Sequence, residues 1–246
     1  MNDILEARIM ELQTKIVEGR KKLELELKRA DACMQVQNTL NRFLFAFQGK
    51  DADACVEEFA DSVEISFEIF KFGVYKSKEN IKRLLRDHYY MGEEIPGAHI
   101  EMNSLTPCIV VAGDGETAKG LWSSFGWEAY PTDEGPKASW NANQIAAEFI
   151  CEDGKWRIRN LQVFTTFVSD YRKSWTAGEP DWFKPDFKGW PKPGDKWVDY
   201  ADGPTTFYRP YDQRIPRLYW PQTPQPYYTY DNSYPMVGTP PEGADL

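Results

Sequence analysis

Histidine is almost missing from this 246-residue chain: only His88 and His99 occur, and four cysteines (Cys33, Cys55, Cys108, Cys151) lie far apart in sequence. No pair of them has the C-x-x-C spacing of a zinc site, so no metal centre is expected, and a chain of this size needs no disulfide staples. The cysteines are therefore expected to be free, buried thiols. Also absent are a G-x-G-x-x-G fingerprint, a phosphate-binding GKS/T loop and a G-x-S-x-G elbow, so no nucleotide cofactor is expected. No apolar run reaches the ~20 residues of a membrane span. The start, "MNDILEARIMELQTK", is charged from its third residue and lacks the apolar centre of a signal peptide. A cytoplasmic protein with no membrane partner is the expectation. Basic residues are also short, 29 against 38 acidic, for a net charge of −9. That balance repels a phosphate backbone and disfavours nucleic acid as a partner.

What the chain does contain is apolar and aromatic surface, 41% and 15% of residues, enough for a packed core. Three zones follow one another. Residues 1–36 read as a mixed-charge helix in which Leu5, Ile9, Leu12, Ile16, Gly19, Leu23 and Ala30 approach a heptad seam. Two uses fit that pattern, a helix laid along its own domain or one used in self-association.

Residues 37–172 alternate in character. Val36, Leu40, Phe43 and Phe47 make a helical stripe that stops at Gly49, and Val56 and Phe59 belong to a short second helix. In "SVEISFEIF", Val63, Ile65, Phe67 and Ile69 recur at period two, as in a half-buried strand, which leaves Glu64 and Glu68 on the opposite face, solvated or salt-bridged rather than catalytic. "KSKENIKRLLRDHYY" returns to helical spacing with Ser77 as its N-cap. Four strand-like runs follow: "HIEMNSLTPCIVVA", "TAKGLWSSFGWEAY", "ASWNANQIAAEFIC" and "KWRIRNLQVFTTFVS". Asp-Gly pairs at 114–115 and 153–154 mark tight turns between them. Helices first, then consecutive hairpins, predict an α+β domain in which a curved antiparallel sheet wraps over its helices.

Residues 173–246 hold 13 of the 17 prolines, five of the nine tryptophans and eight of the 13 tyrosines. So many prolines cannot feed a helix interior or a sheet ladder, while so many aromatic rings are foreign to disordered tails. The prediction is an extended arm whose rings dock on a surface, its own or a neighbour's, and whose last stretch "VGTPPEGADL" is loose.

The order of these segments, and above all "GDGETAKGLW" and "EDGKWRIRNL", resembles the SnoaL-like branch of the nuclear-transport-factor-2-like superfamily, with its G-D-x-A-x-G-x-W strand and D-G-K-W-x-I hairpin. The resemblance covers residues 37–172. It implies a cone-shaped α+β barrel closing on helices around one apolar pocket, usually in a dimer or trimer. Relatives include polyketide cyclases, scytalone dehydratase, bile acid dehydratases, ketosteroid isomerase and non-catalytic binding modules, so the fold does not choose a function. The dehydratase pattern Y-x-x-A-x-D-x-x-D-x-D places Phe43 at its Tyr, Ala46 at its Ala and Gln48 at its first Asp. Asp51 and Asp53 match the remaining acids but read as turn and helix-cap residues. Ala147 falls where the cyclases carry another carboxylate. Both usual acid/base positions are thus blank.

Candidates for chemistry are then His99 and His88, able to move a proton near neutral pH, and Tyr89, whose phenol could polarise a carbonyl. His88 equally fits a core position on the apolar stripe of its helix. Candidates for binding are Gln48, Phe43, Phe47, Trp122, Trp127, Trp140 and Asn143, with Phe125 adding to the aromatic surface. Such a set suits a flat, hydrophobic small molecule held by stacking. The expected function is a cofactor-independent lyase, dehydratase-like, or isomerase acting on an aromatic or polycyclic compound. The alternative is a binding or assembly module of the same fold. In either case a homo-oligomer, dimer or trimer, is expected, with the C-terminal arm contributing to its interface.

Overall fold

The computed structural model describes residues 2–131, 135–178, 200–231 and 234–240. Three helices, α1 (Asn2–Gln48), α2 (Ala52–Glu57) and α3 (Lys78–Tyr89), accompany six strands. The strands are β1 (Ser66–Ile69), β2 (Val74–Tyr75), β3 (His99–Val111), β4 (Thr117–Tyr130), β5 (Lys137–Glu152) and β6 (Lys155–Asp170). They form one sheet in the order β2-β1-β6-β5-β4-β3.

The expected α+β architecture is present, with two refinements. The sheet curls without closing, since β2 and β3 remain edges, and β1 runs parallel to β6 while every other pair is antiparallel. The curl has local causes. Register shifts between Leu105 and Cys108 in β3, and at Thr166 and Arg159 in β6 opposite 142/143 and 148/149 of β5, place an extra residue in one strand and bend it. Pro107, which has no N–H to give, sits in the first of these.

Helix α1 runs without a break across residue 36. Its first half stands clear, with Leu5, Ile9, Leu12, Ile16 and Leu23 all exposed. From Ala32 onward one stripe turns inward, and Ala32, Val36, Leu40, Phe43 and Phe47 are each at most 4% exposed. Each such Phe contributes on the order of 2–3 kcal/mol by burial. The helix stops because Lys50 takes a left-handed φ of 58° and the Asp51 N–H turns back to the Ala46 carbonyl at 2.9 Å. Asp51 then caps α2 by accepting from the Ala54 N–H, and Asp53 pairs with Lys82 and Arg86 of α3. Asp51 does the capping expected of this pair, whereas Asp53 bridges to α3 instead. Ser77 caps α3 likewise, through the Asn80 N–H.

The Asp153-Gly154 turn has positive φ at both residues, 48° and 78°, as a tight hairpin between twisted strands requires. Gly120 explains the G-x-W spacing in β4. A Cβ there would lie 2.2 Å from the Trp122 ring, so the indole lies flat over the glycine. Trp122 is fully buried, edge-on to Phe149, and its Nε1 donates to Gln37 of α1 at 2.7 Å.

The outer face of the sheet is covered by the chain beyond residue 200. Leu121, Ala146 and Phe164 pack there against Trp220 and Met236 in a second core cluster. The buried polar groups beneath are answered by the arm. Glu68, expected to be solvated or salt-bridged, is 4% exposed and accepts from the Thr206 N–H and hydroxyl at 2.8 and 2.7 Å. Glu148 accepts from the Met236 N–H, the Tyr230 hydroxyl and the Asn160 amide, with Lys119 at 3.9 Å. Gln162 accepts from the Gly238 N–H at 2.6 Å. The stretch expected to be loose is therefore anchored as far as Pro240, Val237 joining the outer cluster and Thr239 donating to the Thr206 carbonyl. The arm tryptophans Trp182, Trp190 and Trp197 and residues 241–246 lie outside the described residues.

Candidate functional site

Which face each strand residue occupies follows from the register. Trp122, Ile145 and Val163 stand in one row across β4, β5 and β6, all buried against the helices. Moving two residues along each strand gives the next row on the same concave face: Ser104, Ser124, Asn143 and Thr165. A row further stand Met102, Gly126, Asn141 and Val168, and beyond them Ile100, Glu128, Ser139 and Asp170. Rows lie about 7 Å apart, two strand residues. The concave face thus changes from an apolar floor to a polar one roughly 14 Å long.

This polar floor is buried. Ser124, Glu128, Ser139, Asn141, Asn143 and Thr165 are at most 8% exposed. Buried polar atoms nearly always find partners. Here Ser124 Oγ, Asn143 Oδ1 and Thr165 Oγ1 have none, nor does the hydroxyl of Tyr89, which projects from α3. The Asn143 amide donates to Asn141 at 3.0 Å, which leaves its own carbonyl oxygen over. One row supplies three of these four atoms.

Glu128 is the carboxyl group of this floor. Ser139 Oγ donates to it at 2.7 Å and the Tyr130 hydroxyl lies at 3.5 Å. Burial raises its pKa above the usual carboxylate range, against the opposing pull of these two hydroxyls. Burial likewise holds Tyr89 well above an ordinary phenol, and the proximity of Tyr130 and Glu128 adds to the shift. Tyr89 is thus a fixed donor at neutral pH. The group combines a carboxyl that can hold or release a proton with a phenol and hydroxyls that can hydrogen-bond an oxygen.

The sequence-derived candidates divide among several places. Phe47, Tyr89 and His88 come together: Tyr89 has Phe47 at 4.9 Å and His88 at 4.6 Å between ring centres. His88 also lies 4.1 Å from Phe72, and burial among these rings lowers its pKa to about 3. It is neutral at physiological pH. Phe43 belongs to the core with Phe59 and Phe67, and Trp122 is core as described. Gln48 is engaged structurally, donating to the Met102 carbonyl at 2.7 Å and tying the end of α1 to β3. Asn143 alone among the proposed binding residues is on the polar floor.

Three candidates are corrected by the register. His99 pairs with Ala129 and belongs to the outer face, 57% exposed beside Glu101 at 3.6 Å. Trp127 and Trp140 pair with each other on that same outer face, Trp140 stacking on Phe125 at 5.5 Å. None of the three faces the helices. Ala147 is on the concave face, fully buried beside Leu161, where no carboxylate is present. Sequence reasoning missed Glu128, Ser124 and Thr165. The available signal was parity, because Ser124, Gly126 and Glu128 continue the alternation that begins at Trp122. Among the described residues no cluster of three metal-ligating side chains occurs, all four cysteines are free with Cys55 alone fully buried, and no helix is long and apolar enough to cross a membrane.

A curled, unclosed six-stranded sheet packed on helices is consistent with the cone fold of nuclear-transport-factor-2-like proteins, and comparison with known structures agrees. A hexachlorocyclohexane dehydrochlorinase, LinA type 2, superimposes with a TM-score of 0.51 at 15% identity, over 61% of this chain and 95% of that one. The LinA type 3 enzyme from Novosphingobium barchaimii LL02 gives 0.50 at 13% identity, over 61% and 96%. At such identities the likeness establishes the fold alone. The sequence itself matches the SnoaL-like domain over residues 28–162, more than half of the chain, and the protein belongs to that family. No curated protein matches it in sequence.

Proposed function

We propose that the concave floor binds a hydrophobic cyclic small molecule bearing an oxygen substituent and that Glu128 moves a proton on it, in a cofactor-independent lyase or isomerase reaction. The observation that carries this reading is the set of four unpartnered buried polar atoms on a concave face that also carries a buried carboxyl group, Tyr89 being the one near it. Tyr89, close enough to Glu128 to be influenced by its charge, would donate to the substrate oxygen as negative charge develops there, and Ser124 and Thr165, two rows away, would hold the far end of the molecule. Glu128, whose pKa burial raises, would take the proton from the adjacent carbon or return one to a leaving group. The buried rings of Phe47 and Tyr89 would supply the apolar walls. The dehydrochlorinase names of two structural neighbours, which concern a chlorinated cyclic compound, are compatible with this class.

A test needs no knowledge of the natural substrate. A bicyclic ketone such as 2-tetralone carries acidic α-protons, whose exchange with deuterated solvent is followed by NMR. The protein should accelerate exchange well above buffer, and Glu128→Gln should lose on the order of a hundredfold of that acceleration. Binding of the ketone with no accelerated exchange in the native protein would reduce the site to a binding module.

A further inference from the structure

The C-terminal arm builds a second cavity on the opposite side of the sheet. Between the outer faces of β5 and β6 and residues 207–220 lies a space of about 370 Å³. Its deep side is apolar and buried, with Phe164 4% and Trp220 6% exposed. Toward the opening the rings of Phe167, Trp175 and Tyr211 follow one another, with centroids 5.3 and 4.8 Å apart. A slot walled by rings favours a planar aromatic guest, and this volume, near the lower end for ligand pockets, limits the guest to about one or two fused rings.

The charge left uncompensated in the cavity is of one sign. Arg209 and Arg217 both line it, together with the Gln144 amide. Arg209 makes one long bond, at 3.4 Å to the Pro216 carbonyl, and Arg217 forms no ion pair among the described residues. The Asp212 carboxylate also lines the cavity, but Arg214 holds it in a two-pronged pair at 2.8 and 2.5 Å, which cancels its charge. Two uncompensated guanidiniums therefore stand beside an aromatic slot in a protein whose net charge is −9. Guanidinium groups match carboxylates in shape and charge.

We infer that this cavity is a binding site for a small planar aromatic acid, its rings between Phe164, Trp175 and Trp220 and its carboxylate on Arg209 and Arg217. The sheet separates the site from the concave floor, Thr165 of β6 being the one floor residue that also borders the cavity. It is made by the arm, so occupancy also holds the arm against β5 and β6.

The probe is 2-naphthoate, titrated into the full-length protein by calorimetry and by quenching of tryptophan emission, with the uncharged 2-naphthamide as comparison. One saturable site is expected, at least about tenfold weaker for the amide. Arg209→Ala/Arg217→Ala should weaken the acid about tenfold and leave the amide unaffected. Trp175→Leu, a change at the exposed rim, should weaken both ligands several-fold. Each variant is checked by its unfolding midpoint, and Arg217→Ala alone serves if the double variant is unstable. Glu128→Gln should bind as the native protein does. Absence of saturable binding, equal affinity for acid and amide, or unchanged affinity in the arginine or Trp175 variants would each overturn the inference. Loss of binding in Glu128→Gln would also overturn it, by moving the acid to the concave floor.

Discussion

The two faces of one sheet bury polar groups in opposite ways. On the outer face Glu68, Glu148 and Gln162 are each at most 4% exposed, and every one accepts from the arm. On the concave face Ser124, Asn143, Thr165 and Tyr89 are at most 8% exposed and each has an oxygen without a partner, whereas the outer face has one such group among the described residues, the Ser169 hydroxyl beside Trp140. A satisfied buried network fixes one structure, whereas unsatisfied buried atoms cost stability and call for another reason to exist. The outer face is thus built for holding the arm, and the concave face for holding something else.

Breaking the outer network should give the largest effect. Glu148→Ala removes the acceptor of the Met236 N–H, the Tyr230 hydroxyl and the Asn160 amide, and leaves the Lys119 ammonium buried 3.9 Å from nothing acidic. A loss of about 3–5 kcal/mol is expected in urea unfolding. Lys119 keeps the Tyr234 carbonyl and the faces of Tyr227 and Tyr230, which would place the loss toward the lower end of that span. A cost under ~1 kcal/mol would mean that the arm is not held by these bonds.

A smaller effect concerns the ring cage at the edge of the concave site. With the His88 pKa lowered to about 3 by burial, the folded state stays neutral while the unfolded state takes a proton below about 6.5. Stability contributed by this group is complete above pH 6.5 and is lost as pH falls toward 3. His88→Leu should flatten that limb, by roughly 1–2 kcal/mol between pH 6.5 and 5. Glu128 works in the other sense. Its folded pKa is raised, so stability falls as pH rises from about 4.5 through the folded value. Glu128→Gln should remove that decline and leave the protein relatively more stable at pH 8 than at pH 4. Parallel pH profiles for native and Glu128→Gln proteins would place Glu128 in contact with solvent.

Much of the fold was legible because its signals are local. Ser77 before a helical stripe, the Asp-Gly turns and Gly120 two residues before Trp122 each act within a few residues. The site was less so, because β4 is buried on both faces only in its first half and then exposes its aromatic parity while burying its polar one. From Thr117 to Trp122 every residue is buried, so alternation of apolar and polar residues cannot tell inside from outside. The aromatic residues Phe125 and Trp127 drew attention to one parity, while the functional parity carried Ser124, Gly126 and Glu128. Pairing of His99 with Ala129, which decides where that histidine faces, is set by strand register across the bulge at Leu105 and Cys108. Register of that kind depends on long-range contacts and leaves no short-range mark. The hold of the arm on Glu68 and Glu148 is equally remote, reaching across 138 and 88 residues.

The smallest predicted effect is the sharpest test of the comparison between the faces. Thr165→Val keeps the side-chain shape and removes a buried hydroxyl that has no partner. In an ordinary core a buried hydroxyl is bonded, and the change costs about 1 kcal/mol. Here the native state carries the desolvation cost without the bond, so the variant should be neutral or up to ~1 kcal/mol more stable in urea. If the hydroxyl is kept for a ligand, the gain in stability comes with a loss in acceleration of 2-tetralone exchange, by a few-fold, since Ser124 and Tyr89 remain. Stability and activity moving in opposite directions on one substitution is a result that a purely structural concave face does not give.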